Sequence, residues 1–238
     1  MPDNYLFDTF RKDRTGLEEA VFCLSKTPEQ VADAIAYAQR KGVRMLLTRL
    51  DPEKAARIPE ELLAKLDYDP VSRTGIIGEG VEPLVPARVA VVSAGTSDVQ
   101  VAGEASRTLA YFGEASTAFT DVGVAGLWRL LERRDAIASH PVVIALAGME
   151  GALFSVLGGL IPSVLIAVPT SVGYGVSAGG KTALEAALGS CSPGVLAVNI
   201  DNGYGAACAA LRVLQAQQRF DPHPTVPGRA VANAECDR

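Results

Sequence analysis

The sequence offers few side chains of the kinds that carry out nucleophilic or acid–base chemistry. Its four cysteines are far apart and form no CxxC pair, which argues against a zinc site of ordinary spacing and against a disulfide framework. They are Cys23, Cys191, Cys208 and Cys236. The chain has only two histidines, His140 and His223. A histidine-rich metal site is therefore excluded, and a Ser-His-Asp triad would have to use one of these two.

Cys191 is the cysteine whose surroundings are least like a core. It lies in Gly189-Ser190-Cys191-Ser192-Pro193-Gly194, a loop of small and turn-forming residues that buries little. A buried, unreactive thiol remains the usual state of a free cysteine. Cys23 and Cys208 stand in apolar segments and are predicted to be core residues, whereas Cys236 stands in a polar tail.

Glu150 is a carboxylate in an otherwise apolar turn, Gly148-Met149-Glu150-Gly151-Ala152. Such a group must be ion-paired, solvated in a cleft or protonated, and a raised pKa would suit a general base or acid. The alternative is a carboxylate favoured at the start of a helix by the helix dipole. The residues alone leave both open.

Three further loops combine small and polar residues. Ser93-Ala94-Gly95-Thr96-Ser97-Asp98 fits either an anion site at a helix N-terminus or a plain capped turn. Gly175 to Thr182 matches the P-loop spacing, but too few strands follow it for a nucleotide-binding sheet of that kind. Asn199, Asp201 and Asn202 end the last predicted strand, where turn formation is an equally good explanation.

A regular alternation of strands and helices must position these loops. Five strands are predicted at 88–93, 115–119, 142–147, 163–168 and 195–200. The helices between and after them are predicted at 98–112, 124–135, 149–160, 180–189 and 204–217. Such a series predicts a three-layer, doubly wound parallel sheet, with its ligand crevice at the carboxyl ends of the strands.

The first 85 residues predict a separate small α/β module. A capping box at Thr27-Pro28-Glu29-Gln30 begins a helix that ends at Gly42. A strand is predicted at 43–48, a helix at 52–66, a short strand at 75–78 and a linker at 80–86. The predicted domains are thus a module at 1–85, a second α/β domain at 86–219 and a mobile tail at 220–238.

Composition narrows the class of protein. The 238 residues are 48% hydrophobic and 21% charged, with a net charge of −5, which predicts a folded chain and argues against nucleic-acid or anionic-membrane binding. The polar N-terminus is unlike a secretory signal, so a cytoplasmic location is expected. The long apolar stretch at 141–169 is interrupted by Glu150, Pro162 and four glycines. It is interpreted as two buried strands and a helix rather than a membrane span.

The loops together resemble one family. The motifs SAGTSD, Asp121-Val-Gly-Val-Ala-Gly126, GMEGAL, VPTSVGYG, SCSPG and VNIDNGYGA are similar to those of the LarB family, pyridinium-3,5-biscarboxylic acid mononucleotide synthase of nickel-pincer cofactor synthesis. The second domain of that family resembles the PurE-type aminoimidazole ribonucleotide (AIR) carboxylase. Arg14 to Glu19 and Lys26 to Gln30 look like the amino-terminal signature of the LarB family.

The resemblance implies an activity. Nicotinic acid adenine dinucleotide would be carboxylated at C5 of its pyridinium ring by CO2, and hydrolysis of the phosphoanhydride would release AMP. Cys191 matches the nucleophilic cysteine of the family and Glu150 its acidic residue, which is suited to removing the C5 proton. Mg²⁺ is expected for the hydrolysis, held mostly by phosphate and water, with no metal ligands assigned. Neither biotin nor ATP is expected.

The resemblance also implies a set of substrate- and nucleotide-binding positions along the same loops. These are Ser93, Thr96, Ser97, Asp98, Asp121, Gly123, Trp128, Gly148, Met149, Thr170, Ser171, Gly173, Tyr174, Lys181, Asn199 and Asn202. Both families form octamers, so a homo-octamer is the expected assembly.

Two positions depart from the family pattern. Trp128 stands where histidine is expected, and Cys23-Leu24-Ser25-Lys26 replaces a glycine-containing segment. Trp128 could stack on a pyridinium but cannot transfer a proton. Three alternatives therefore remain: a paralogue that carboxylates another pyridinium, an AIR carboxylase or mutase, and a non-catalytic nucleotide-binding module.

Overall fold

The computed structural model describes residues 7–220. The predicted tail therefore lies outside the described residues, except for Phe220, which ends the last helix. His223 and Cys236 lie in the same undescribed part. The described chain contains two sheets, one of four strands and one of five.

The first sheet belongs to the N-terminal unit. Its strands are β1 (Ala20–Phe22), β2 (Met45–Thr48), β3 (Asp67–Asp69) and β4 (Thr74–Ile77). They have the order β1-β2-β4-β3, in which β1 and β2 are parallel and the other two pairs are antiparallel. The helices are α1 (Arg11–Thr15), α2 (Pro28–Lys41), α3 (Pro52–Ala55) and α4 (Glu60–Leu63).

Local sequence signals explain much of this unit. The predicted capping box is confirmed, because Thr27 Oγ1 accepts from Gln30 N at 3.3 Å and Gln30 Oε1 accepts from Thr27 N at 2.9 Å. The single helix predicted at 52–66 is wrong. The chain forms α3 and α4 on either side of Pro59, which lacks an N–H and disfavours helical backbone at the residue before it. Strands β1 and β3 have only three residues each and were not predicted.

The second sheet consists of β5 (Leu84–Ser93), β6 (Glu114–Phe119), β7 (Val142–Ala147), β8 (Val164–Pro169) and β9 (Val195–Ala197). It is wholly parallel and has the order β6-β5-β7-β8-β9. Its helices are α5 (Val99–Tyr111), α6 (Leu127–Ala138), α7 (Ala152–Leu160), α8 (Lys181–Leu188) and α9 (Gly203–Phe220). One core lies under α5 and α9, the other under α6, α7 and α8. The predicted three-layer fold is therefore confirmed.

Several predicted boundaries need correction. Strand β5 begins at Leu84, so the end of the predicted linker is already part of the sheet, and β9 ends at Ala197. Helix α7 begins at Ala152 rather than 149, because Met149 and Gly151 have left-handed backbone, with φ of 51° and 66°. Glu150 therefore lies in a turn and not in the first turn of a helix.

The apolar stretch at 141–169 forms β7, α7 and β8, and both strands lie inside the sheet, as predicted. Within residues 7–220, no helix combines the length and the apolar character needed to cross a membrane. His140 is buried at the start of β7, where its Nε2 lies 2.8 Å from Thr117 Oγ1 and its ring packs edge-on against Phe119. Its role is structural.

Candidate active site at the carboxyl edge of the parallel sheet

The loops that follow the parallel strands meet at one edge of the sheet. Thr170 Oγ1, after β8, donates to Asp98 Oδ1, after β5, at 2.6 Å. Met149 N, after β7, donates to Val172 O at 2.7 Å. Ser171 N donates to Asp201 Oδ1, after β9, at 2.7 Å. Four loops from distant parts of the chain thus form one connected rim, as the parallel topology predicts.

Two glycines allow these loops to approach closely. A Cβ placed on Gly148 would lie 2.1 Å from Val172 O and 2.8 Å from Thr170 Oγ1. A Cβ on Gly123, after β6, would lie 2.7 Å from Ala94 O. Glycine is therefore required at both positions by backbone contact across the rim.

Asp98 is the buried carboxylate of the rim. Its Oδ2 accepts from Gly95 N at 2.9 Å, so it closes its own loop while its Oδ1 binds Thr170. Burial raises the pKa of Asp98 above its ordinary value, and the nearby Asp201 adds to the rise, while the two hydrogen bonds oppose it. Asp98 is thus a structural centre of the rim, whereas Thr96 and Ser97 are exposed beside it.

Ser93 ends β5 beneath this loop. Its Oγ is buried and has no hydrogen-bond partner among the described residues. A buried hydroxyl without a partner is unfavourable, so a ligand atom placed here would satisfy it.

The three described cysteines differ sharply in environment. Cys23 is fully buried, and burial raises its pKa to about 12. Burial also raises the pKa of Cys208. Cys191 alone of the three is exposed. The thiolate is the reactive form of cysteine, so Cys191 is the only one of these thiols placed to react with a ligand from solvent.

Cys191 is held by its neighbours against helix α7. Ser190 Oγ lies 2.8 Å from Ser155 Oγ, and Ser192 Oγ donates to Ser155 O at 2.7 Å. Ser155 is three residues, about 4.5 Å of helical rise, beyond the start of α7. Glu150, two residues before α7, is exposed and forms no ion pair within residues 7–220. The first half of α7 therefore connects the loops that carry Cys191 and Glu150, although no hydrogen bond joins the two side chains in the described chain.

The remaining predicted residues have varied surroundings. Asp121 forms an ion pair with Arg129, and Lys181 pairs with Glu185 at 3.6 Å. Trp128 is 64% exposed at the start of α6, and Tyr174 is 78% exposed. A Cβ placed on Gly173 would lie 2.5 Å from Ser177 O, so this glycine permits a close backbone approach. Asn199 Oδ1 accepts from Ile200 N at 2.9 Å, and Asn202 Oδ1 accepts from Gly205 N at 2.8 Å.

The P-loop interpretation finds no support in the geometry. A loop at 170–174 leads into a 3-10 helix at Gly175–Gly180 that is kinked at Ala178 and Gly179, and only β9 follows it in the sheet. Thr182 Oγ1, which in a P-loop would face a metal ion, donates to Val176 O at 2.7 Å.

Two residues at this edge were missed by sequence reasoning. Arg49, at the end of β2, donates from Nη2 to Asp201 O and lies 3.8 Å from the buried Glu104 of α5. Burial raises the pKa of Glu104, an effect that the Arg49 charge opposes. A charged residue directly after the apolar run Met45–Thr48 was the signal that could have revealed Arg49.

A metal ion at this rim would have fewer than three protein ligands from the described chain. Within the described residues, no group of three or more His, Cys, Asp and Glu side chains is arranged to bind an ion. Asp201 Oδ2 makes no hydrogen bond in the described chain, so it is a free carboxylate oxygen at the rim. One such ligand fits Mg²⁺ that is held mainly by phosphate and water.

Comparison with known families agrees with this architecture. Residues 5–79 match the LarB/PurE-like N-terminal domain, and residues 88–221 match the AIR carboxylase domain. The chain is a LarB-like member of the AIR carboxylase family. An uncharacterized protein of Methanocaldococcus jannaschii is 37% identical over 211 residues, which are 85% of this chain and 81% of that protein. The two domains of this LarB-like protein, in this order, support a carboxylase-like function.

Proposed function

We propose that this LarB-like protein carboxylates nicotinic acid adenine dinucleotide at pyridinium C5 and hydrolyses its phosphoanhydride. The products would be AMP and pyridinium-3,5-biscarboxylic acid mononucleotide. The observation that carries the proposal is the exposed thiol of Cys191, whose neighbours Ser190 and Ser192 are hydrogen-bonded to Ser155 of the helix that follows Glu150. An AIR carboxylase acting on its own substrate needs no cysteine nucleophile.

The covalent step uses the electron deficiency of the pyridinium ring. The Cys191 thiolate adds to C6, and the electron pair of the C6–N π bond moves to the ring nitrogen. The resulting neutral enamine is nucleophilic at C5, which forms a new C–C bond to CO2. Splitting one difficult carboxylation into addition, carboxylation and elimination is the advantage of covalent catalysis.

Glu150 completes the cycle as general base. It accepts the C5 proton, which restores the enamine, and the ring nitrogen then expels the thiolate from C6 as aromaticity returns. Glu150 is exposed and has no competing cation in the described chain, so its carboxylate is free to accept a proton. The adduct itself activates C5, so neither biotin nor ATP is required.

The rim supplies the nucleotide-binding groups. Thr96, Ser97 and Ser171 present exposed hydroxyls beside the start of α5 and the end of β8, where hydrogen-bond donors suit phosphate. Mg²⁺ bound at Asp201 would neutralise charge on the phosphoanhydride during its hydrolysis. Trp128, which is exposed, is the residue most able to change the choice of pyridinium by stacking.

We also propose that the protein assembles as a homo-octamer. Apolar side chains on and around α6, α8 and β9 are exposed in the single chain, including Leu127, Leu131, Leu188 and Leu196. Contact between copies would bury them. Light scattering that gives the mass of one chain would contradict this part of the proposal.

The deciding experiment is mass spectrometry of a reaction containing the dinucleotide, bicarbonate and Mg²⁺. We expect AMP and a product heavier by one CO2 than nicotinate mononucleotide. Cys191→Ser should abolish both, whereas the matched control Cys208→Ser, which removes a partly buried thiol, should retain them. Equal loss in the two variants would contradict the role of Cys191.

A second substrate must be run in parallel, because residues 88–221 match the AIR carboxylase domain. If the wild type carboxylates aminoimidazole ribonucleotide and Cys191→Ser still does so, the protein is a purine-type carboxylase and the proposal is wrong. Reaction with a different pyridinium would keep the chemistry and change the substrate. Tight dinucleotide binding without any product would indicate a binding module.

A further inference from the structure

Arg49 joins the N-terminal unit to the rim of the parallel sheet. It follows β2 directly, and its Nη2 donates to the backbone carbonyl of Asp201, a residue 152 positions away. Its Nε lies 3.8 Å from Glu104 Oε1 on α5. The guanidinium thus bridges the two sheets at the edge where the nucleotide is proposed to bind.

The residue that Arg49 holds has left-handed backbone. Asp201 has a φ of 57°, a conformation that is uncommon outside glycine although aspartate adopts it more readily than most residues, and its N–H donates to Pro169 O at 2.8 Å. Its Oδ1 accepts from Ser171 N. Asp201 therefore fixes the end of β8 and the start of the next loop, and such a turn persists only when its surroundings stabilise it.

Glu104 fixes Arg49 from the other side. Its side chain is buried, and its Oε2 accepts from Tyr204 N, near the start of α9, at 3.2 Å. A buried carboxylate needs a partner of opposite charge, which Arg49 supplies. Two restraints on the guanidinium, one from Glu104 and one from Asp201, leave it little freedom.

We propose that Arg49 is a positioning residue through which the N-terminal unit holds the Asp201 turn, and with it Ser171, in the conformation that binds the dinucleotide. The inference rests on the proposed function. The family resemblance assigned residues of the second domain alone to substrate binding and catalysis. The role of Arg49 would give the N-terminal unit a direct part in the site as well.

The chain contains a matched control, because β2 has an arginine at each end. Arg44 precedes β2 and also bridges the two units: its Nη2 donates to Tyr111 O, and its guanidinium carbon lies 4.4 Å from the centre of the Tyr111 ring. Tyr111 ends α5, and its hydroxyl donates to Glu18 Oε2 at 2.5 Å; in the described chain it forms no hydrogen bond with a rim residue. Arg44→Met and Arg49→Met each remove one arginine bridge between the units, but only the second touches the rim.

The experiment compares Arg49→Met, Arg49→Lys and Arg44→Met in the full chain. The readouts are the dinucleotide Kd, KM, kcat and the midpoint of thermal unfolding. Arg49→Met should raise Kd and KM at least about tenfold and lower kcat/KM by up to about 100-fold, because small displacements of positioning groups have effects of this size. Arg44→Met should lower the unfolding midpoint about as much as Arg49→Met does, but it should change Kd and KM less than about threefold.

Rescue distinguishes positioning from general destabilisation. Arg49→Lys keeps a positive charge opposite Glu104 but loses the planar fork, so its Kd and KM should fall between those of Arg49→Met and the wild type. If the Arg44 and Arg49 variants weaken binding equally, the inference about Arg49 is overturned and the proposed function stands. A wild type that binds without reacting overturns the proposed function, while the Kd comparison still decides the role of Arg49. A wild type that neither binds nor reacts overturns both.

Discussion

Gly148→Ala tests whether close contact between loops builds the active-site rim. The added Cβ would lie 2.1 Å from Val172 O, roughly 1.2 Å inside the ~3.3 Å at which carbon and carbonyl oxygen normally meet. It would also lie 2.8 Å from Thr170 Oγ1. The loop after β8 must therefore move by about 1 Å, which breaks the hydrogen bond from Met149 N to Val172 O.

The cost follows from these two effects. Overpacking of this kind costs about 1–3 kcal/mol, and a lost hydrogen bond about 1 kcal/mol. We expect Gly148→Ala to lower the free energy of unfolding by about 2–4 kcal/mol. Because the same displacement moves Thr170 and the residues after it, kcat/KM should fall by about 100-fold.

Gly159→Ala is the matched control. It lies in helix α7, and a Cβ there would meet nothing within 4 Å. Alanine in a helix is favoured over glycine by about 0.5–1 kcal/mol, so this variant should be slightly stabilised. Urea unfolding followed by circular dichroism, and product formation followed by mass spectrometry, would measure both variants. A Gly148→Ala protein as stable and as active as the wild type would refute the argument for close loop contact.

Three further predictions concern stability and are measured by urea unfolding. Phe154→Ala removes a fully buried ring of α7 and should cost about 3–5 kcal/mol; a loss below about 1 kcal/mol would contradict the packing described. Thr27→Ala removes the cap of α2 and should cost about 1 kcal/mol, with Thr27→Ser close to the wild type. Burial raises the folded-state pKa of Glu104 above its ordinary 4.5, so the wild type loses stability as pH rises from 4.5 through that pKa. The free energy of unfolding of Glu104→Gln should therefore rise relative to that of the wild type between pH 4 and pH 7. A relative rise for the wild type over that range would show that the Arg49 charge outweighs burial.

The elements of the parallel sheet could be predicted because their signals are local. Buried parallel strands appear as continuous apolar runs such as Val142–Ala147, and small residues follow each run where the chain turns. Errors arose where a few residues decide a boundary. Pro59 divides a predicted helix, and the left-handed backbone of Met149 moves Glu150 into a turn.

The chemistry of the cysteines was predicted only in part. The glycine-, serine- and proline-rich setting of Cys191 indicated an unusual thiol, and the structure shows it exposed while Cys23 is fully buried and Cys208 partly so. Its hydrogen-bonded supports, which join Ser190 and Ser192 to Ser155, could not be predicted. They connect a loop to a helix more than thirty residues earlier, and the hydrophobic periodicity of a sequence does not indicate which distant residues pair.

The sequence by itself determined the strand–helix rhythm, the capped helix after Thr27 and the motifs by which the chain resembles its family. Those features depend on hydrophobic periodicity and on hydrogen bonds between near neighbours. Only the tertiary structure decided which polar groups share the rim. Asp98 and Thr170 are 72 residues apart and Arg49 and Asp201 are 152 apart. They meet because the order of the strands in the sheet, and the packing of the N-terminal unit against it, bring distant loops to one edge.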